Sequence, residues 1–325
     1  MGLRVGVAGA GALGFHHARI LRELAGDAFV GVFDADPERA ARVAGELGVR
    51  ALPSLEALVD AADAVSIAVP TVHHAATAAT VLGAGRHAFI EKPVTATVEE
   101  ADALATLAAA TRAVVQVGHV ERYNRAVRAA RPVVRDAWHV EATRLAPYTP
   151  RGADVSVVLD LMIHDIDLAC WLLGAVPVGI AADGAAWMKP TPDVAQARLA
   201  FTGGRAATLT AMRLAAARRR RLVVVQREGL VECDLAAGTA TFWRLRGDVD
   251  PAVLATAPQE ASAFAERVPL EAPEGETLRL EFQDWLAAAA GARAPAVSLA
   301  EGRAALAVAR QIETAIADGI AQRGG

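Results

Sequence analysis

The chain has 325 residues, 54% of them hydrophobic and 22% charged, which provides for substantial cores, excludes a disordered composition and suits two domains better than one. A net charge of -4 argues against a general nucleic-acid binder. The two cysteines, Cys170 and Cys233, have no metal-ligand spacing and fit a reducing compartment.

Leu3 to Ala8 is short and apolar with two valines, as a buried parallel strand requires. It runs into Gly9-Ala10-Gly11-Ala12-Leu13-Gly14, and a helical stretch follows through Leu24. Between a strand and a helix, this pattern reads as a dinucleotide cradle. One glycine makes the tight turn, one admits the pyrophosphate against the backbone, one lets helix and strand pack closely, and the helix start offers N–H groups to phosphate. A second strand, Phe29 to Phe33, ends at Asp34, twenty residues after Gly14. A carboxylate there accepts hydrogen bonds from ribose hydroxyls and repels a 2′-phosphate. NAD is therefore expected in preference to NADP, while Arg39 stands where it can approach a 2′-phosphate. The candidate cofactor residues here are Gly9, Gly11, Ala12, Leu13, Gly14 and Asp34. His16 and His17 read either as neighbours of the dinucleotide or as helix surface.

Through about Gly118, short apolar runs alternate with alanine-rich helical stretches. Helices are expected over Pro37 to Gly48, Leu55 to Ala61, His74 to Gly85 and Val98 to Ala110, and strands over Ala64 to Val69, His87 to Ile90 and Ala113 to Val117. This alternation predicts an α/β doubly wound parallel sheet of Rossmann type over residues 1–121. Pro70 and Glu91 fall at carboxyl ends of strands, the side where ligands bind. Ala64 to Gly85 has no charged residue, but Pro70 and two histidines interrupt it, so no membrane span is expected. With no basic-then-apolar leader at the amino terminus, a cytoplasmic protein is expected.

After about Glu121 the pattern changes. Trp138 to Arg144, Ala195 to Phe201, Arg205 to Arg213, Leu222 to Gln226, Leu230 to Asp234 and Thr239 to Leu245 read as successive strands, 247–275 as a loop-rich excursion, and Glu276 to Ala290 and Ser298 to Ala321 as closing helices. Residues 122–325 are thus expected to form an α+β domain with an open, mostly antiparallel sheet for substrate binding and oligomerisation. The apolar alternation of Ala195 to Phe201 and Ala207 to Leu214 predicts subunit packing in a homodimer or homotetramer. In Val157 to Leu173, helical spacing places Asp160, His164, Asp167 and Trp171 on one face, a costly set to bury without partners. Arg218 to Arg221 reads as a solvated segment or as a contact for an anionic substrate or a neighbouring subunit.

These motifs together resemble the glucose-fructose oxidoreductase, inositol dehydrogenase and MocA family, written Gfo/Idh/MocA. The resemblance rests on the glycine pattern at 9–14, Val69-Pro70-Thr71 with His74, Ala84 to His87 leading into Glu91-Lys92-Pro93, and Asp160 with His164. It implies a nicotinamide-dependent dehydrogenase in which Lys92, Asp160 and His164 are catalytic and Pro70, Thr71, His74, Glu91 and Lys92 lie toward the cofactor. The chemistry asks for the same residue types: as hydride leaves carbon, a base takes the hydroxyl proton and a donor steadies the oxygen. His164 is assigned as the base. Spacing alone leaves all three residues able to move the proton. No metal is expected.

Val117 to Asn124 and Val158 to Leu168 are more closely similar to one subgroup, the UDP-N-acetylglucosamine 3-dehydrogenases, whose products an aminotransferase takes toward an amide-linked lipid A precursor. Arg125 replaces the proline expected there, and Tyr123 the commoner phenylalanine. The resemblance implies a nucleotide-sugar substrate, with Arg122, Tyr123, Asn124, Asp160 and His164 in contact with it; Arg122, Arg125, Arg144, Arg151 and the 218–221 run read either as donors to its diphosphate or as surface arginines that serve solubility. Asn124 reads equally as a helix cap. A dehydrogenase of a free sugar or inositol-type polyol and a non-catalytic NAD-sensing regulator are the alternatives.

Overall fold

The computed structural model describes residues 2–149, 155–188, 190–247 and 260–323; Arg151 and part of the expected excursion, 248–259, lie outside the described residues. Two compact units are present, Met1–Val120 with Gly275–Ala307, and Glu121–Glu274 with Val308–Gly325.

In the first unit, β1 (Val5–Ala8), β2 (Phe29–Phe33), β3 (Ala64–Ile67), β4 (His87–Glu91) and β5 (Val115–Gly118) form a parallel sheet in the order β2-β1-β3-β4-β5. β1 and β3 are buried at every position, which is why their sequences are continuous apolar runs without alternation. The connecting helices are α1 (Ala12–Ala25), α2 (Pro37–Leu47), α3 (Leu55–Ala61), α4 (His74–Gly83) and α5 (Val98–Thr111). Their starts follow local chemistry. Asp36 accepts from the N–H groups of Glu38 and Arg39 with Pro37 opening α2, Ser54 caps α3, and Thr97 with Glu100 forms a capping box on α5. The helix Thr277–Ala289 also belongs to this unit. Its Phe282 and Trp285 are fully buried, with ring centroids 4.9 and 5.6 Å from that of Phe89 in β4.

The second unit carries β6 (His139–Leu145), β7 (Gly179–Ala185), β8 (Val194–Ala200), β9 (Ala206–Met212), β10 (Arg219–Gln226), β11 (Gly229–Asp234), β12 (Thr239–Leu245) and β13 (Ala265–Leu270). They form one sheet in the order β13-β12-β11-β10-β6-β9-β8-β7, antiparallel at every junction except β6 with β9. β13 falls within the segment read as loop, and β7 has no counterpart among the expected strands. Both are edge strands, and β13 contains Pro269, which an edge tolerates.

Short α6 (Arg125–Ala130) and α7 (Ile163–Leu173) belong to this unit. Ala195, Ala197, Leu199, Ala207, Leu209 and Ala211 are buried. They lie on the sheet face that also bears Arg144, since Arg144 pairs in register with Ala211 and Ala211 with Ala195. Arg144 itself reaches α7. The alternation read as an oligomer contact is therefore satisfied inside the chain, and the opposite face presents Gln196, Arg198, Thr208 and Thr210.

A buried charge network fastens α7 to the sheet. Arg144 donates to both oxygens of Asp165, at 2.9 and 2.7 Å, and to Glu121 Oε1 at 2.7 Å. Burial opposes the charge on Arg144, but Asp165 and Glu121 outweigh it and hold the guanidinium above its ordinary pKa. Arg122 donates to both oxygens of Asp167, at 2.8 and 2.6 Å, and lies 5.1 Å from the Trp171 ring centroid. Replacing Arg144 by Met strands two buried carboxylates. We expect a loss of about 3–5 kcal/mol of stability, measured by urea denaturation; a loss below about 1 kcal/mol would show that the network does not hold the unit together.

Candidate active site

The loop after β1 has the shape a dinucleotide cradle needs. Gly9 sits at φ +97°, where a Cβ would lie 2.6 Å from the Ala68 backbone, and a Cβ on Gly14 would lie 1.9 Å from the Gly9 carbonyl oxygen. At Gly11 a Cβ would meet nothing within 4 Å, so the space above the loop is open. Gly11 precedes α1, whose first turn has no side-chain cap, and the N–H groups of Ala12, Leu13 and Gly14 belong to that turn. Asp34, at the carboxyl end of β2, accepts from Ala10 N–H at 2.7 Å and Asp36 N–H at 2.9 Å. Arg39 donates to Asp34 at 3.2 Å and pairs with Asp36 at 3.1 Å. Open space at Gly11, uncapped amides and a carboxylate one strand away fit NAD; Gly9 to Gly14 would hold its pyrophosphate and Asp34 its adenine ribose.

Lys92 follows β4 and is joined to Pro93 by a cis peptide bond. The residues on either side of it are anchored. Glu91 is buried; its Oε2 accepts from Lys92 N–H at 3.0 Å, and its Oε1 lies 3.2 Å from His17 Nε2. The other ring nitrogen of His17 is 2.9 Å from Ser66 Oγ. Burial disfavours the Glu91 charge, but His17 and Lys92 outweigh it and its carboxyl lies below the ordinary pKa. His17 is fully buried, which corrects the helix-surface reading, whereas His16 is exposed. On the far side, His74 places its two ring nitrogens 2.8 Å from Pro93 O and 3.0 Å from Val69 O. Burial lowers its pKa, so at neutral pH the ring is neutral and donates to one of them. His74 thus binds the loop after β3, with Pro70 and Thr71, to the Lys92-Pro93 loop. Pro70 is exposed and Thr71 half-buried, opening the turn Thr71–His73.

In the second unit, Asp160 lies within a π-helical turn, Val158–Met162, marked by the Ile163 N–H bonding to Val158 O, and His164 opens α7 just after it. Such wide turns recur at functional sites. Both residues are half-buried, while Asp167, expected on their face, is buried against Arg122. Asp165 beside His164 is tied to Arg144. Asn124 caps α6: its Oδ1 accepts from Ala126 N–H at 3.0 Å, and its Nδ2 donates to Glu121 Oε2 at 3.1 Å and Leu235 O at 2.9 Å. Of the two readings of Asn124, the cap is the one realised. Tyr123 is half-buried. Arg122 and Arg144, expected to reach phosphates, have side chains 4% and 2% exposed and engaged with carboxylates. The sequence signals for these pairings are the acids at 121, 165 and 167, whose partners no spacing rule identifies.

A family model for oxidoreductases with an NAD-binding Rossmann fold matches residues 3–119, and one for the Gfo/Idh/MocA C-terminal domain matches 126–232. The UDP-N-acetylglucosamine 3-dehydrogenase of Acidithiobacillus ferrooxidans is 37% identical over 315 residues, 97% of each chain. A solved structure of that enzyme aligns with a TM-score of 0.89 at 35% identity, covering 97% of this chain and 98% of the other. The inositol 2-dehydrogenase of Rhizobium meliloti is 33% identical over 196 residues, 57% of this chain and 59% of its own. With both family domains matched and one relative alike over nearly the whole length, the chain belongs to the Gfo/Idh/MocA family of NAD-binding oxidoreductases.

Proposed function

We propose that this protein oxidises the 3-hydroxyl of UDP-N-acetylglucosamine to a ketone. The observation that carries the reading is the likeness over 97% of the chain to a dehydrogenase of that substrate. The unit of Met1–Val120 with Gly275–Ala307 serves the cofactor, and the unit of Glu121–Glu274 with Val308–Gly325 serves substrate and assembly, so the boundary expected at 121 holds but 275–307 go with the first unit. NAD, when bound, supplies the hydride acceptor. His164 takes the hydroxyl proton, Lys92 donates a hydrogen bond to the same oxygen as negative charge develops there, and Asp160 orients the sugar or tunes its two partners. The Ser66–His17–Glu91 chain and His74 hold the Lys92 loop from opposite sides, and Arg144 through Asp165 holds the helix of His164. Arg122 acts through Asp167, and Tyr123 and Asn124 shape the substrate side of the second unit. The protein works in the cytoplasm as a homodimer or homotetramer, and an aminotransferase consumes its 3-keto product on the way to an amide-linked lipid A precursor.

Lys92→Ala is expected to lower kcat by about 10²–10³ while NAD affinity, followed by fluorescence titration, stays near the wild-type value. Unimpaired turnover would remove Lys92 from the mechanism. Asp34→Ser removes the ribose acceptor and releases Arg39 toward a 2′-phosphate, so KM for NAD should rise and KM for NADP fall; an unaltered preference would show that Asp34 does not select the cofactor. NADH formation with UDP-N-acetylglucosamine, UDP-glucose, glucose and myo-inositol, coupled to a ketone trap, tests the substrate. Turnover of myo-inositol alone would place the protein with its inositol-oxidising relatives.

A further inference from the structure

Ser66, His17 and Glu91 come from β3, α1 and β4 of the first unit, and all three are buried. With Glu91 ionised, the proton on His17 Nε2 faces Glu91 Oε1 across 3.2 Å, and Nδ1 meets the Ser66 hydroxyl at 2.9 Å. The rings of Phe89 and Phe282 meet the imidazole edge-on, with centroids 5.8 and 4.9 Å away, and keep it in this orientation. Across from Glu91, β5 presents Gly118, where a Cβ would lie 3.1 Å from the carboxyl group. Such a chain exceeds what an anchor requires. Holding the Lys92 N–H takes only a neutral acceptor, which an amide would supply without the cost of burying a charge.

The surroundings of Glu91 instead favour its ionised form. Burial opposes the charge, but His17 from α1 and then Lys92 from the adjoining loop outweigh it. His74 on α4 also stands within electrostatic reach, yet burial lowers its pKa and it adds no charge at neutral pH. The interaction with Lys92 is mutual: a cation that favours a nearby carboxylate is favoured by it in return. We propose that Ser66, His17 and Glu91 form a positioning chain that keeps a negative charge beside Lys92, so that Lys92 remains a cation throughout the working pH range. This rests on the role proposed for Lys92 above, in which a cation steadies the oxygen as its proton leaves. Lys92 is half-buried, and an oxidised nicotinamide brings a positive charge of its own, two circumstances that favour a neutral amine. A carboxylate held ionised next to it offsets both.

The chain has two lysines, Lys92 and Lys189, so the full-length protein carrying lysine isotope-labelled at Cε shows two side-chain signals by NMR, which Lys92→Ala assigns. In Glu91→Gln, the Lys92 ammonium should titrate about one pH unit lower than in the wild type, with the Lys189 signal unmoved. The amide oxygen still accepts from Lys92 N–H, and its NH2 can meet Nε2 once His17 carries its proton on Nδ1 toward Ser66, so the thermal midpoint should stay near the wild-type value. His17→Leu should move Lys92 in the same direction, because burial then prevails at Glu91 and the carboxyl takes up a proton. Asp160 and His164 are unaltered in both variants, so the difference reads the first unit alone. In turnover, the fall of kcat at high pH should begin about one pH unit lower in both. A chain that only supported the loop would lower kcat without displacing the pH profile. A Lys92 titration unaltered in Glu91→Gln or in His17→Leu would overturn the proposal. If Lys92 titrates as expected but the wild-type protein does not oxidise UDP-N-acetylglucosamine, the reaction reading falls while the hold on the Lys92 charge stands.

Discussion

A carboxylate taken out of water must be compensated in place, and in this chain the segments carrying Lys92, Arg122 to Asn124 and His164 each have such a carboxylate next to them. Glu91 precedes Lys92, Glu121 precedes Arg122 to Asn124, and Asp165 follows His164. Each buried acid finds its partner on a different element: His17 on α1 for Glu91, Arg144 on β6 for both Glu121 and Asp165. A loop or helix start with such a neighbour cannot drift without breaking a buried carboxylate's contact in a poorly solvated place. The cost of burying these acids thus becomes positional precision for the residues beside them.

The cofactor side works on a different constraint, the absence of atoms. A methyl group on Gly9 or Gly14 would collide with backbone, so these glycines set how closely the loop, α1 and the strand ends can approach. Gly11 has no such neighbour, and the room above it suits a pyrophosphate on the amides of the first turn. Asp34 stitches the β1 loop to the end of β2 through Ala10 and Asp36 N–H. It is thus a structural tie, and under the proposed function the same carboxylate, in contact with Arg39, is the one that would meet the ribose and set the choice between NAD and NADP.

The first unit was legible in the sequence because parallel strands buried on both faces leave dense apolar runs, and because glycine turns and helix caps are local signals. Val5 to Ala8 and Ala64 to Ile67 needed no tertiary information to be recognised. The edge strands β7 and β13 were not legible: Gly-Ile-Ala-Ala-Asp-Gly-Ala and Ala-Glu-Arg-Val-Pro-Leu pack on one neighbour only and carry little periodic signal. The packing of Phe282 and Trp285 against Phe89 joins residues almost two hundred positions apart, which periodicity cannot register. Among the site residues, the motifs marked Lys92, Asp160 and His164, but nothing local distinguished a buried His17 from a surface one. The π-turn at Val158–Met162 was equally silent, because its residues satisfy an ordinary helical pattern and the wider turn shows in backbone bonding such as Ile163 N–H to Val158 O.

The arginines show most clearly where reading by composition ends. Arg122, Arg144, Arg218 and Arg219 carry the same side chain, and in the sequence all look suited to phosphate. Their environments divide them. Arg122 and Arg144 are buried, each with a bidentate carboxylate, so their charge is spent on holding α7 and the segment before α6. Arg218 and Arg219 stand exposed where β10 begins, and water rather than a bidentate carboxylate answers their charge. What separates a positioning arginine from a solvated one is therefore whether the fold brings a buried carboxylate within reach of its fork, a property of the folded unit.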